Sequence, residues 1–585
     1  MNTQRSSVPR CTGFIQVLFA LAVLHSSIAI EAFAQDHFDV LIRGGQVIDG
    51  TGNPWFSADV AIRDGRIVAV GSLDDATADR LVDARGMVVT PGFIDLHSHA
   101  GDSGGRGLGS RDPNDRSAPN LVAQGATTLV VNQDGRSPWP ISEQRSGFER
   151  DGIGPNAALM VGHGEVRQQV MGDDFRRAAT PAELREMKAL VRQAMDEGAM
   201  GMSAGHEYVP MVWSTTEEVV GLVEELAPYH GLYIVHERSS GAEPMWWWPS
   251  QDAPGAPTML DAVVETIEVA ERTGVTSVQT HVKARGANYW GSSQAIIQLI
   301  ERARARGVPI WADSYPYNTT GSDGSTVLLS PFVLEDADRA VDRGGTPDYA
   351  SALRRGLADP NAAEKIRADI RHEMSRRGGA ENLLVLGHRD RSYVGRTLLD
   401  LARERDIDPV EMAIRLQLDG DPSEPGGALL RGFSLSEHDV ASFAAQPWVA
   451  TASDAGITMA GDGPTHPRYY GTFPRKIRRY ALDQGVITVE GAIRSMTSLP
   501  AQIIGLRDRG LVREGNWADL VVMNLEQVRD QATPLEPHQY PSGIPYVLVN
   551  GVFVVDGGRL TGALPGRVIT PASRSDRPRT DDFDD

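Results

Sequence analysis

Two histidines one residue apart, His97-Ser98-His99, close an apolar run, and further metal-binding side chains close three other apolar runs. His236 follows Leu232-Tyr233-Ile234-Val235, His281 follows Val278-Gln279-Thr280, and Asp454 follows Val449-Ala450-Thr451-Ala452-Ser453. Alternate side chains of an extended strand share a face, so His97 and His99 point the same way and one metal ion can take both. A His-x-His pair alone fits a structural or surface role equally well. Five ligand-type residues ending four strands, in a chain with 14 histidines among 585 residues, point to a metal centre. The single cysteine, Cys11, excludes disulfides within the chain and every cysteine-built zinc or iron–sulfur site. The donors must be imidazole and carboxylate.

These residues need elements that bring strand ends together. From about residue 91 to 505, short apolar strands alternate with amphipathic helical stretches such as Pro181 to Glu197 and Met259 to Thr273, a pattern that predicts a parallel sheet flanked by helices. The strand candidates end at His99, Asp134, His163, Ser203, His236, His281, Asp313 and Asp454. Eight such units match an α/β fold of the (β/α)8 TIM-barrel type, whose active face lies at the C-terminal ends of its strands. A ninth candidate, Leu383 to His388, is assigned to an insertion spanning about 323–400, which could include a lid over the site. β-Branched runs separated by Gly and Asp-Gly turns occupy 35–90 and return in 506–570, which predicts a small β-sandwich domain assembled from both ends. The polar tail, 571–585, is expected to be disordered.

The formal charge of -20 repels phosphate backbones and anionic lipid, which disfavours nucleic acid and membrane surfaces as partners and leaves small molecules. Arg5 and Arg10 precede an apolar stretch from Phe14 to Ile30 that ends in Ala32-Phe33-Ala34. This predicts a signal peptide, residues 1–34, and an exported protein, periplasmic or secreted. The run is short for a bilayer span, and cleavage after Ala34 would remove the only thiol and leave no stable membrane association.

The chain resembles the amidohydrolase superfamily, and within it the N-acyl-D-amino-acid deacylase branch. The resemblance is carried by Thr90-Pro91-Gly92-Phe93-Ile94-Asp95-Leu96-His97-Ser98-His99, Gly125-Ala126-Thr127-Thr128, Val161-Gly162-His163-Gly164, Gly201-Met202-Ser203-Ala204-Gly205, His236-Glu237-Arg238, His281-Val282-Lys283, Asp313-Ser314-Tyr315-Pro316-Tyr317, Ser453-Asp454 and His466-Pro467-Arg468. It implies a barrel with a β-sandwich from both termini, one or two Zn2+ ions, and hydrolysis of the amide bond of N-acyl amino acids, N-acyl-D-amino acids in particular. One departure stands out. The deacylases place a cysteine ligand after the second strand, where this chain reads Asn132-Gln133-Asp134-Gly135. Asp134 is a competent zinc ligand and also an ordinary turn residue; we expect it to serve as the ligand.

The implied chemistry assigns metal to His236, His281 and Asp134, with a second ion at His97 and His99. Such a site lowers the pKa of water toward about 7. Asp454, the expected catalytic residue and a further candidate ligand, takes the proton and passes it to the leaving amine; its alternative role is a helix N-cap. The resemblance also implies that Lys283, Tyr315, Ser322 and Arg468 hold the substrate carboxylate. Three consecutive tryptophans, Trp246-Trp247-Trp248, either line an apolar pocket or pack their loop down. His163, His206 and His388, also near strand ends, are expected to be structural.

Other readings compete. Gly201-Met202-Ser203-Ala204-Gly205 fits a serine-nucleophile elbow, but Pro210 follows too soon for the helix an elbow requires. The glycine-rich stretch Gly101 to Gly109 lacks a following Gly-Lys-Ser/Thr and is no phosphate loop. An exported metallodipeptidase or other amidase would use the same residues on a different acyl group. A metal-free binding or scaffolding protein on this fold would have lost ligands.

Overall fold

A computed structural model describes residues 37–101, 105–321, 326–341 and 346–571. The expected leader, 1–34, the tail from 572 and Ser322 lie outside the described residues.

Eight parallel strands follow one another around a barrel in chain order: Phe93–Asp95, Ala126–Val131, Asn156–Gly162, Gly201–Gly205, Leu232–His236, Thr276–Gln279, Ile310–Ser314 and Val449–Thr451. The first and eighth strands are not joined by a regular ladder. They meet beyond their C-terminal ends, where the Asp454 N–H donates to the His97 carbonyl (2.9 Å) and the His99 N–H to the Ala455 carbonyl (2.9 Å). The ring is thus closed at the mouth, by the segments that carry three of the candidate ligands.

Strand residues are buried on both faces, which is why they read as apolar runs. In the fifth strand, Leu232 and Ile234 pack into one cluster with Ile94, Val130 and Val278, whereas Tyr233 and Val235 pack with helix residues such as Val219 and Leu222. His236 continues the series 232, 234 and so enters the barrel. The flanking helices begin on capping boxes, Thr180 with Glu183 ahead of Pro181–Asp196 and Thr258 with Asp261 ahead of Met259–Thr273, each with one buried face.

Strands from both ends of the chain form one nine-stranded sheet. Val88–Pro91 pairs antiparallel with Leu520–Met523, matching Val89 to Val522. The long strand His37–Val47 pairs with Thr77–Asp83 along its first half and Val88–Pro91 along its second, so the sheet divides there around a core of Val40, Ile42, Val60, Val89, Leu520 and Leu548.

Leu383–His388 stays out of the barrel and pairs antiparallel with Ala428–Gly432. The insertion extends past residue 400, where the sequence placed its end: helices Leu398–Glu404 and Pro409–Asp419 pack with Pro360–Arg376 around Leu353, Ile366, Leu383, Leu398, Leu416 and Leu430. Their amphipathic pattern is that of barrel helices, and only the partner strand at 428–432 shows where they belong.

Candidate metal centre and substrate cleft

His97, His99, Asp134, His236, His281 and Asp454 converge at the mouth from five barrel strands. Asp134 is central. Its Oδ1 lies 3.6 Å from His97 Nε2 and 3.8 Å from both His236 Nδ1 and His281 Nε2, and its Oδ2 lies 3.6 Å from His99 Nε2. Asp454 Oδ1 is 3.1 Å from His99 Nε2 and 3.6 Å from His97 Nε2. Two donor triples, His97/His99/Asp454 and His97/Asp134/His281, each have all donor atoms within 4.8 Å of one another, with His97 common to both. Asp134, His281 and Asp454 have φ of 57°, 35° and 50°, backbone strain that persists because the surrounding structure determines it.

The donor set fits a zinc ion. Asp134 Oδ1 is buried without a hydrogen-bond partner, a costly state for a carboxylate unless a cation compensates it. Tetrahedral zinc with arms of about 2.0–2.1 Å has ligand–ligand edges of about 3.3 Å, close to the 3.6–3.8 Å found between Asp134 and the imidazoles.

Residues behind the ligands orient them. His97 Nδ1 stands 2.5 Å from Thr280 Oγ1, and that hydroxyl donates to Asp313 (2.8 Å). The hydroxyl must therefore accept from His97 Nδ1–H, leaving the Nε2 lone pair facing the centre. His236 donates Nε2–H to Glu207 (3.0 Å), which turns Nδ1 inward. Glu207 is itself held by the Ser240 hydroxyl (3.0 Å), the Met245 N–H (2.7 Å) and Arg285 (3.2 Å).

Burial pushes His97 down to about 3 and His281 down to about 4, so both imidazoles are neutral. For His236, burial is outweighed by Glu207 and Asp134, and its pKa is raised. Burial opposes the charge on Glu207, but Arg285 and His236 prevail and hold it at about 2. The same contest at Asp454 is won by Arg468, whose Nη1 sits 2.9 Å from Asp454 Oδ2, together with the imidazoles, and the carboxyl stays well below its usual range. Asp134 is lowered in the same direction by the imidazoles around it.

A cavity of about 430 Å3 opens over this centre, lined among others by Lys283, Tyr315, Arg468, Met245 and Arg377. Arg468 stacks on the Tyr315 ring with its guanidinium 4.8 Å from the ring centroid. Lys283 Nζ lies 2.5 Å from His281 Nδ1, and burial lowers its pKa. The sequence thus brought three of the four expected carboxylate-binding residues to one cavity, and it missed that Arg468 also grips Asp454.

Glu207, Thr280 and Arg285 were also missed as supporting residues. Two of the three tryptophans pack down: Trp247 and Trp248 lie against His372 of the insertion, with ring centroids 5.0 and 6.3 Å apart, whereas Trp246 is exposed and Met245 faces the cavity. His163 bonds Glu218 (2.9 Å), His206 bonds the Tyr233 hydroxyl (3.0 Å), and His388 accepts from the Asp390 N–H (2.9 Å), so all three are structural. Ser203 donates to the Asn132 carbonyl (2.6 Å).

Comparison with known proteins agrees with this geometry. The amidohydrolase family pattern matches residues 80–310 and 440–555. D-aminoacylase of Alcaligenes xylosoxydans xylosoxydans is 33% identical over 555 residues, 91% of this chain and 97% of that protein. A solved structure of D-aminoacylase, an enzyme with a binuclear metal center, superposes with a TM-score of 0.68 at 31% identity over 91% of this chain and 100% of that one. N-acyl-D-glutamate deacylase from Bordetella bronchiseptica, solved with zinc and a phosphonate inhibitor, gives 0.67 at 28% identity over 92% and 100%. The chain belongs to the amidohydrolase family, hydrolases of carbon–nitrogen bonds, and is homologous to the D-aminoacylases over most of its length.

Proposed function

We propose that this protein is a zinc-dependent deacylase that hydrolyses N-acyl-D-amino acids to a carboxylate and a free amino acid. The observation that carries the reading is the unpartnered Asp134 Oδ1 facing three imidazoles beneath a cavity lined by Lys283, Tyr315 and Arg468. His97, His99, Asp134, His236 and His281 would hold one or two ions, with Asp134 at the position where the deacylase resemblance implies a cysteine. Zinc bound there supplies Lewis-acid polarisation of the amide carbonyl and an acidified water. Asp454, ionised and with Oδ1 turned to the centre, accepts the proton and delivers it to the leaving nitrogen. Arg468 fixes Asp454 through Oδ2 and keeps further N–H donors for the substrate α-carboxylate, beside Tyr315 and Lys283.

The reading includes export. Arg5 and Arg10, the apolar run and Ala32-Phe33-Ala34 support cleavage after Ala34 and a periplasmic or secreted enzyme. Fractionation with N-terminal sequencing of the mature protein tests this part: a mature chain found in the cytoplasm with Met1 intact overturns it.

The activity is tested with a panel of N-acetyl-D-amino acids, N-acetyl-L-amino acids and dipeptides, with zinc removed and restored. Turnover of the D series that is lost on chelation and regained with zinc is expected. Preferential cleavage of dipeptides, or full activity without metal, overturns the reading. Arg468→Ala should raise KM strongly for acylated amino acids and little for uncharged amides.

A further inference from the structure

The cations around the cavity differ in one respect. Arg468 pairs with Asp454, Arg285 with Glu207, Arg377 with Glu373, and Lys283 contacts His281. The Arg136 side chain has neither a hydrogen-bond nor an ion-pair partner among the described residues; only its backbone N–H is engaged, by the Gln133 carbonyl (3.1 Å). Its one neighbour of note is the Tyr208 ring, with the guanidinium 5.9 Å from the centroid.

Its position is equally particular. Arg136 lines the cavity over the metal centre and also a second cleft of about 460 Å3, formed by Gly135, Gly164, Gln168, Val209 and Pro210. Arg136 is the residue common to both linings. The second cleft lies among the loops that follow the second, third and fourth barrel strands, whereas Lys283, Tyr315 and Arg468 follow the sixth, seventh and eighth. In a ring of eight these are opposite walls, with the metal-ligand residues between them. Glycines let the floor of the cleft form: a Cβ on Gly135 (φ +76°) would run into the Met211 side chain, and one on Gly164 would stand 2.9 Å from the Gly135 carbonyl oxygen.

We infer that the acyl half of the substrate lies in the cleft at Arg136, and that Arg136 selects acyl groups ending in a carboxylate, such as the monoamides of short dicarboxylic acids. This rests on the deacylase reading. If the α-carboxylate is held at Lys283, Tyr315 and Arg468 with the scissile amide over the donors, the acyl chain leaves toward the opposite wall, where the unpaired guanidinium stands. A single charge-assisted contact at an exposed arginine is sufficient for discrimination without trapping the product.

The test compares N-succinyl- and N-butanoyl-D-amino acids, equal in chain length and differing in terminal charge, on the wild type, Arg136→Gln and Arg136→Lys. The wild type should favour the succinyl substrate by about tenfold in kcat/KM. Arg136→Gln should bring that ratio toward one, chiefly through KM, and Arg136→Lys should restore part of it. Neutral acyl substrates turned over without preference for succinyl, or a preference that survives Arg136→Gln, overturn the inference and leave the deacylase reading standing. No turnover of any N-acyl-D-amino acid overturns both.

Discussion

Glu207 Oε2 lies 3.0 Å from His236 Nε2, on the far side of the imidazole from Asp134. A carboxylate behind an imidazole fixes the tautomer and raises the basicity of the nitrogen in front. Glu207→Gln keeps the size and loses the charge. It should weaken zinc affinity by about 10- to 100-fold, with activity regained at high zinc. Zinc content after dialysis against a graded chelator series measures this, and wild-type retention would show that Glu207 does not act through His236.

Asp454→Asn removes the proton acceptor and leaves the imidazoles in place. The expected loss in kcat is about 10^2- to 10^4-fold. Metal content should stay near the wild-type level, because His97, Asp134 and His281 form a donor triple without Asp454. Near-normal turnover would remove Asp454 from the chemistry.

The centre was legible in the sequence and its support was not. His97, His99, His236, His281 and Asp454 end strands, where the period of two and the barrel rule convert position into direction. Glu207 lies in a loop after the fourth strand, beside His206, and nothing in the pattern says that the carboxylate rather than the imidazole turns to the centre. The available signal was energetic: a buried carboxylate needs a cation, and Arg285 supplies it 78 positions away. The barrel could be read because its strands are local. The end of the insertion could not, because it depends on the pairing of 383–388 with 428–432.

Asp369 of the insertion joins two segments by accepting from Ser330 (2.5 Å) and from both the hydroxyl (2.7 Å) and N–H (3.2 Å) of Ser250. Asp369→Ala leaves the buried Ser330 hydroxyl unpaired, at a cost of about 1–3 kcal/mol, and releases the part-buried Ser250. The loop carrying Met245 should loosen, giving faster proteolytic cleavage between Gly241 and Thr258 and a higher KM with a smaller change in kcat. Unchanged proteolysis would show that the loop is held by other contacts.

Lys476 is buried, donates to the Ala444 carbonyl (2.7 Å) and has no carboxylate partner among the described residues. Burial pushes its pKa from 10.5 down to about 7. Between those values the unfolded chain carries a proton that the folded chain lacks, so this group makes stability rise with pH, by about 1.4 kcal/mol per unit at most. Below pH 7 the full cost is present. Lys476→Met should therefore raise the urea midpoint most at pH 7, with the advantage shrinking toward pH 10. A gain independent of pH would assign the effect to packing alone.

The match of Val89 to Val522 bears on how the chain comes to be folded. A ribosome adding about 5–20 residues per second needs roughly 20–90 seconds to travel from one partner to the other. Throughout that interval Val88–Pro91 is an unpaired edge leading directly into the first barrel strand and its two histidines. The nascent protein therefore presents an open β edge until Leu520–Met523 emerges, which makes it a natural client for a holding chaperone.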